Sequence, residues 1–185
     1  VLCDMRACLE SQGVERAGVP PVFITQHLSA PFNEMLARRL SAACGLDCAE
    51  AVSGAPVLAG RVYVAPDGAH LAVQRGPPDT CRIRLMQTPP VHFCRPAADP
   101  MLESLAAAYG ENLLAVILTG MGKDGLTGCQ YVAAAGGTVW VQDAQSSVVW
   151  GMPGAVAQSG LPCRVLPLGA AGAALADWML AGDMI

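Results

Sequence analysis

No apolar run in this sequence approaches the roughly 18 residues that a membrane-spanning helix requires, although apolar residues fill 53% of its 185 positions. Charge is equally short. Charged residues are 14% of the chain, the net charge is −4 and the isoelectric point lies near 5.2. So little positive charge excludes a polyanion-binding surface, and with it nucleic acid as a partner. The opening VLCDMRACLESQG has no cationic start leading into an apolar stretch, so no secretory signal is visible. Cysteine is plentiful, with eight at positions 3, 8, 44, 48, 81, 94, 129 and 163, but paired spacing is lacking. Cys44 and Cys48 come nearest to a zinc half-site, and no second pair completes it. A secreted disulfide scaffold would be shorter and less hydrophobic. These exclusions leave reduced, structural cysteines in a cytoplasmic, monomeric protein of one domain, with no metal, no cofactor and no membrane insertion.

What is present is organised around residues 113–128, LLAVILTGMGKDGLTG. The run 113–118 has the length and aliphatic make-up of a strand buried on both faces. It breaks into a turn with Gly120, Gly122 and Gly125 around a single carboxylate, Asp124. Open α/β sheets place their chemistry where a parallel strand empties into such a loop.

The rest of the chain supplies a frame. Residues 1–17 read as a helix with Leu2, Met5, Cys8 and Leu9 on one face. Residues 22–25 form a short strand closed by Gln26-His27-Leu28. Ser29 and Pro31 open a helix to about Cys44, with Phe32, Met35, Leu36 and Leu40 inward and Arg38 and Arg39 outward. Residues 49–90 change character. Short strands fall at 49–52 and 61–65, and a hairpin joins 71–73 to 81–85 across Gly76-Pro77-Pro78-Asp79. Tandem strands without helices mean an antiparallel excursion. Helix and strand then alternate again: helices at 101–109, 125–135 and 170–180, strands at 113–118, 138–142 and 163–166. The expected fold is α/β, a doubly wound and mostly parallel sheet with helices on both faces and an antiparallel hairpin excursion near 49–90.

Two side chains stand out by position. His27 directly follows one strand and Asp124 lies in the glycine loop after another, so a parallel sheet brings both to its carboxyl edge. An imidazole whose Nδ1–H is held by a buried carboxylate is oriented as a general base. Amides of a glycine-rich turn can act as oxyanion donors. The plainer reading of the same residues is that His27 caps the next helix and Asp124 suits the turn. His70 and His92 read as structural or exposed, and the glycine spacing of 120–125 matches neither a dinucleotide fingerprint nor a phosphate loop.

ITQH at 24–27 together with ILTGMGKDG at 117–125 resembles the catalytic domain of CheB-type chemoreceptor methylesterases. Further matches follow in the same order: PVLAGRVYVAPDGAHL at 56–71, CRP with a downstream Asp at 94–99, and DAQSSVVWGMPGAV at 143–156. The resemblance covers nearly the whole chain from about Pro20. It implies one doubly wound domain that hydrolyses glutamyl methyl esters on the cytoplasmic helices of methylated chemoreceptors, within phosphorelay signalling, sometimes with deamidation of glutamines. It also implies roles: His27 as the base, Asp124 as its orienting acid, and the backbone amide of Met121 as part of the oxyanion site.

One element of that pattern is absent. The family carries its nucleophilic serine in a GAS-T-GG turn about 26 residues before the histidine, which falls at Val1, where there is neither serine nor glycine turn. Cys3 has no such turn to hold it, Ser29 sits too close to His27, and Ser146 and Ser147 lie in a loop without a strand–turn–helix elbow. Ala97 stands where the family usually has serine, and no receiver domain precedes the catalytic part. Two readings stay open: an N-terminally incomplete esterase domain, or a non-catalytic module that binds receptors or regulates. A central strand buries about three aliphatic side chains at roughly 1.5–3 kcal/mol each. That sum approaches a domain's whole stability of ~5–15 kcal/mol. Its absence should leave an open apolar groove, and negligible esterase activity in these 185 residues alone.

Overall fold

The computed structural model describes residues 1–77 and 80–181. In chain order it has helix α1 (Leu2–Ser11), strand β1 (Val22–Ile24), helix α2 (Phe32–Cys44), and strands β2 (Asp47–Glu50), β3 (Arg61–Val64), β4 (His70–Gly76) and β5 (Thr80–Met86). There follow α3 (Ala98–Tyr109), β6 (Leu114–Ile117), α4 (Leu126–Ala134), β7 (Thr138–Gln142), α5 (Met152–Ala157), β8 (Arg164–Leu166) and α6 (Leu168–Leu180).

Six strands form two parallel three-stranded sheets, β1-β3-β2 and β6-β7-β8, and β4 pairs with β5 as an antiparallel hairpin. Helices cover both faces, because successive residues of each strand are apolar on both sides. One core joins Tyr63, Ala115 and Ile117 to α3, α4 and the hairpin. The other joins Val62, Leu114, Val116 and Trp140 to α1 and α6. The doubly wound α/β arrangement expected from the sequence is the one observed.

Its details differ in four places. Helix α1 stops at Ser11 rather than near residue 17, because Gly13 takes a left-handed φ of +78° and Val14 N turns back onto Leu9 O. Helix α2 buries Asn33, Ala37 and Cys44, while Phe32 and Met35 face outward at 53% and 44% exposure. Asn33 sets that rotation, since its Nδ2 donates to Leu28 O. The hairpin is narrower than 49–90: β2 and β3 run parallel, with Cys48 opposite Val62. The connection between them crosses over β5, where Gly54 N and Val57 N donate to Ile83 O and Cys81 O, and so returns the chain in its original direction. Pro78 and Asp79 of the expected turn lie outside the described residues.

The fourth difference concerns the strand at 113–118, expected to be buried on both faces. Ala115 and Ile117 are buried, but Leu114 and Val116 are half-buried. Among the described residues β6 is an edge strand, and so is β1 in the other sheet. Between them lies an apolar groove of about 940 Å³.

Candidate active site

Strand β6 delivers the chain into Thr119 and the glycine loop, and Gly125, with φ +90°, reverses it into α4. A side chain at that φ would be strained. Helix α4 then crosses close under α3. A Cβ on Gly128 would lie 2.6 Å from Leu102 Cβ, so only glycine permits the approach. The crossing sets the amino-terminal turn of α3 against the loop that carries Asp124.

Asp124 is 2% exposed. Its Oδ2 accepts hydrogen bonds from Ala98 N and His27 Nε2, both at 2.7 Å, and its Oδ1 accepts from Asp99 N at 3.0 Å. Asp99 returns the favour: its Oδ1 accepts from Gly128 N at 2.7 Å. The N-cap residues of α3 and α4, Ala97 and Gly125, make no side-chain capping bond. Each helix therefore has its orphan amides satisfied by a carboxylate from the other. The helix dipoles favour negative charge at both places.

His27 reaches Asp124 through Nε2, not through the Nδ1 expected from the triad template, and Nδ1 has no hydrogen-bond partner among the described residues. The imidazole is 30% exposed. Its hydrogen bond to Asp124 holds its pKa above the usual 6.5, against the opposing effect of burial and with help from the carboxylate's charge. Burial is the largest influence on Asp124 and pushes its pKa up. The bonds from His27, Ala98 and Asp99 together outweigh it and leave the carboxyl below 3.8. The pair is thus an ionised carboxylate holding an imidazole that can carry charge.

The other wall of the loop is also pinned. Thr119 N donates to Oε1 of buried Gln142 at 2.8 Å, and Gln142 Nε2 donates to Ser146 O. Gly120 N donates to Val149 O and its carbonyl accepts from Met152 N. The next amide, that of Met121, has no hydrogen-bond partner among the described residues, and its side chain is 84% exposed.

The remaining candidates separate cleanly. His70 is fully buried, takes Ala97 N on Nδ1 and donates from Nε2 to Pro89 O, which makes it structural. His92 donates from Nε2 to Asp99 Oδ2 at 3.1 Å, so the site has a second histidine–aspartate pair beside the first. Their ligand atoms and that of Asp124 lie within 4.8 Å of one another, but the Asp124 oxygens already accept three hydrogen bonds. The sequence marks His92 only as a structural or exposed histidine and Asp99 only by its place after CRP, and gives no signal for Gln142. Val1 stands at the N-cap of α1 and makes no side-chain capping bond. Ser146 Oγ is bonded to Asp143, and no serine hydroxyl is bonded to His27 among the described residues. All eight cysteines are free thiols, and burial pushes Cys129 up to about 12.

The family model for CheB methylesterase matches residues 12–175. This chain belongs to that family. It is 49% identical over 164 residues to the protein-glutamate methylesterase/protein-glutamine glutaminase of group 2 operon from Rhodospirillum centenum, covering 88% of this chain and 41% of that one. A methylesterase/glutaminase of Paramagnetospirillum magneticum is 51% identical over 158 residues, covering 84% and 41%. The CheB methylesterase catalytic domain of Thermotoga maritima superposes with a TM-score of 0.84 at 33% identity, covering 94% of this chain and 92% of that one. The chain spans about two fifths of the length of the curated relatives it matches. Nothing in these likenesses favours a non-catalytic module over a CheB catalytic domain. No helix of the described residues is long and apolar enough to cross a membrane.

Proposed function

We propose that this chain carries the acid–base machinery of a protein-glutamate methylesterase that acts on the cytoplasmic helices of methylated chemoreceptors, with glutamine deamidation as a related activity. The observation that supports this reading most directly is the 2.7 Å contact between His27 and a buried, ionised Asp124 at the mouth of a glycine loop. In the reaction, a hydroxyl nucleophile gives its proton to His27 Nδ1 as its oxygen bonds to the ester carbon. Asp124 holds the ring and stabilises the imidazolium. The free amide of Met121 faces the negative charge that gathers on the carbonyl oxygen. The imidazolium then protonates the departing methoxide as methanol. Water, deprotonated by the same nitrogen, releases the glutamate carboxylate and restores the nucleophile. Net, ester and water become carboxylate, methanol and a proton. The free cysteines accord with a reducing, cytoplasmic setting.

No serine stands ready at His27, so these 185 residues by themselves should release methanol from methylated receptor negligibly. Oxyanion donors and binding alone leave at most about 10³–10⁴ over water in the triad template. Methanol release assayed with the isolated chain tests this. A robust rate abolished by His27→Ala would overturn it and reveal a nucleophile within the chain. Where a rate is measurable, it should fall as pH drops through the raised pKa of His27, because the protonated ring cannot accept a proton.

A further inference from the structure

The sequence contains a single lysine, and it stands in the glycine loop. Lys123 lies between Met121, whose amide has no partner among the described residues, and Asp124, which holds His27. Its side chain is exposed and makes no hydrogen bond or ion pair among the described residues. The neighbouring carboxylates are occupied. Asp124 accepts from Ala98 N, Asp99 N and His27 Nε2, and Asp99 accepts from Gly128 N and His92 Nε2.

Local structure gives no reason for a cation at this position. Lys123 precedes Gly125, the N-cap of α4, by two residues, at the helix end where the backbone dipole favours anions over cations. The loop turns on glycines instead: Gly122 and Gly125 take φ values of +85° and +90°. What remains is an anion supplied from outside. The methyl ester proposed as substrate is neutral, and its carbonyl oxygen falls to the Met121 amide, so the ammonium is available to a second group of the same substrate. Two other side chains exposed beside the loop, Met121 at 84% and Val148 at 90%, are apolar and serve no charge. Val148 is placed there by its neighbour Val149, whose carbonyl accepts from Gly120 N. On a helical substrate, residues four positions from the ester share its face at about 5–6 Å between Cβ atoms, a span that a lysine side chain covers.

We propose that Lys123 is a specificity-determining residue whose ammonium pairs with a carboxylate carried one helical turn from the glutamyl ester, so that the site prefers acidic helices. The place of the ester rests on the esterase reading; the pairing of Lys123 with a carboxylate is tested apart from it.

Because Lys123 is the only lysine, the full chain labelled with carbon-13 lysine gives one lysine side-chain signal to follow by NMR. Three alanine-rich helical peptides of about 18 residues serve as probes. The first has a central glutamyl methyl ester with glutamate four positions to each side. The second has glutamine at both flanks, and the third keeps the glutamates but has norleucine for the ester. At low salt the first should shift the Lys123 signal and bind about threefold more tightly than the second, as an exposed ion pair allows. Salt at about 0.5 M should erase that difference. Lys123→Met should level the two peptides, read on the His27 ring signals, and Lys123→Arg should keep the preference. Equal binding of the first two by the unaltered chain, or a preference that survives Lys123→Met, overturns the proposal. If those two bind alike but more tightly than the norleucine peptide, Lys123 alone loses its role and the ester site stands. If the norleucine peptide shifts Lys123 and binds as tightly as the first, the carboxylate pairing stands and the esterase reading fails. No shift with any peptide at millimolar concentration overturns both.

Discussion

The carboxyl ends of β1 and β6 and the bodies of the same strands sit in opposite physical situations. At the ends, every oxygen of Asp124 is occupied, two helix termini are capped across the gap, and His27 closes the junction. Along the strands, Phe23, Leu114 and Val116 are half-buried and one backbone edge of each strand is unpaired among the described residues. The polar junction depends on α3, α4 and the glycine loop, none of which needs the groove to be filled. The His27–Asp124 pair is thus held by contacts that do not involve the facing edges of β1 and β6.

Removing the centre of the junction gives the largest expected effect. Asp124→Ala strands Ala98 N and Asp99 N at a buried helix start and frees His27. It should cost about 3–5 kcal/mol in urea denaturation and return the His27 pKa toward 6.5 in an NMR titration. A loss under about 1 kcal/mol would mean that the junction holds little. The strands can be compared directly with matched truncations. Val62→Ala, at a fully buried position of β3, should cost about 2 kcal/mol, and Val116→Ala, beside the groove, under about 1 kcal/mol. Equal losses would show that the groove side is as well packed as the centre.

The pH dependence of stability should bear the junction's signature. The His27 pKa is raised above 6.5, so its contribution is complete below 6.5 and fades as pH climbs through the folded value. The Asp124 pKa is lowered below 3.8, so its contribution is complete above 3.8 and fades as pH falls through the folded value. Stability from the pair should therefore plateau between these limits and decline on both sides. Urea midpoints against pH would show it, and Asp124→Asn should flatten both limbs. Limbs that persist in that variant would belong to other groups.

The smallest effect concerns Ala97. A serine there would ordinarily serve as an N-cap, but the amides of Ala98 and Asp99 are already held by Asp124 and position 100 is proline. Ala97→Ser should change stability by less than about 0.5 kcal/mol, measured by thermal melting. A larger gain would mean that the borrowed cap is incomplete.

Much of this was legible in the chain. The alternation of helix and strand, the buried character of 61–65 and 138–142, and the positions of His27 and Asp124 after strands follow from local pattern and turn chemistry. The rotation of α2 was not legible, because one side-chain bond from Asn33 to Leu28 O outweighs an apolar stripe of ordinary helical spacing. Nor was the parallel pairing of β2 with β3, since a crossover that rides on a hairpin instead of a helix leaves no mark in hydrophobic period. Asp99 and His92 looked like loop furniture until α3 and α4 were brought together.

By itself the sequence determined the element types, the glycine loop and the residues able to exchange a proton, because each depends on neighbours within a few positions. It also settled that no serine turn stands at Val1. Tertiary structure alone decided which imidazole nitrogen Asp124 holds, that two helices cap one another, and that β1 and β6 leave an unfilled apolar groove between them. Those outcomes depend on groups up to 97 residues apart in the chain, and distance in sequence carries no information about contact until the sheets are assembled.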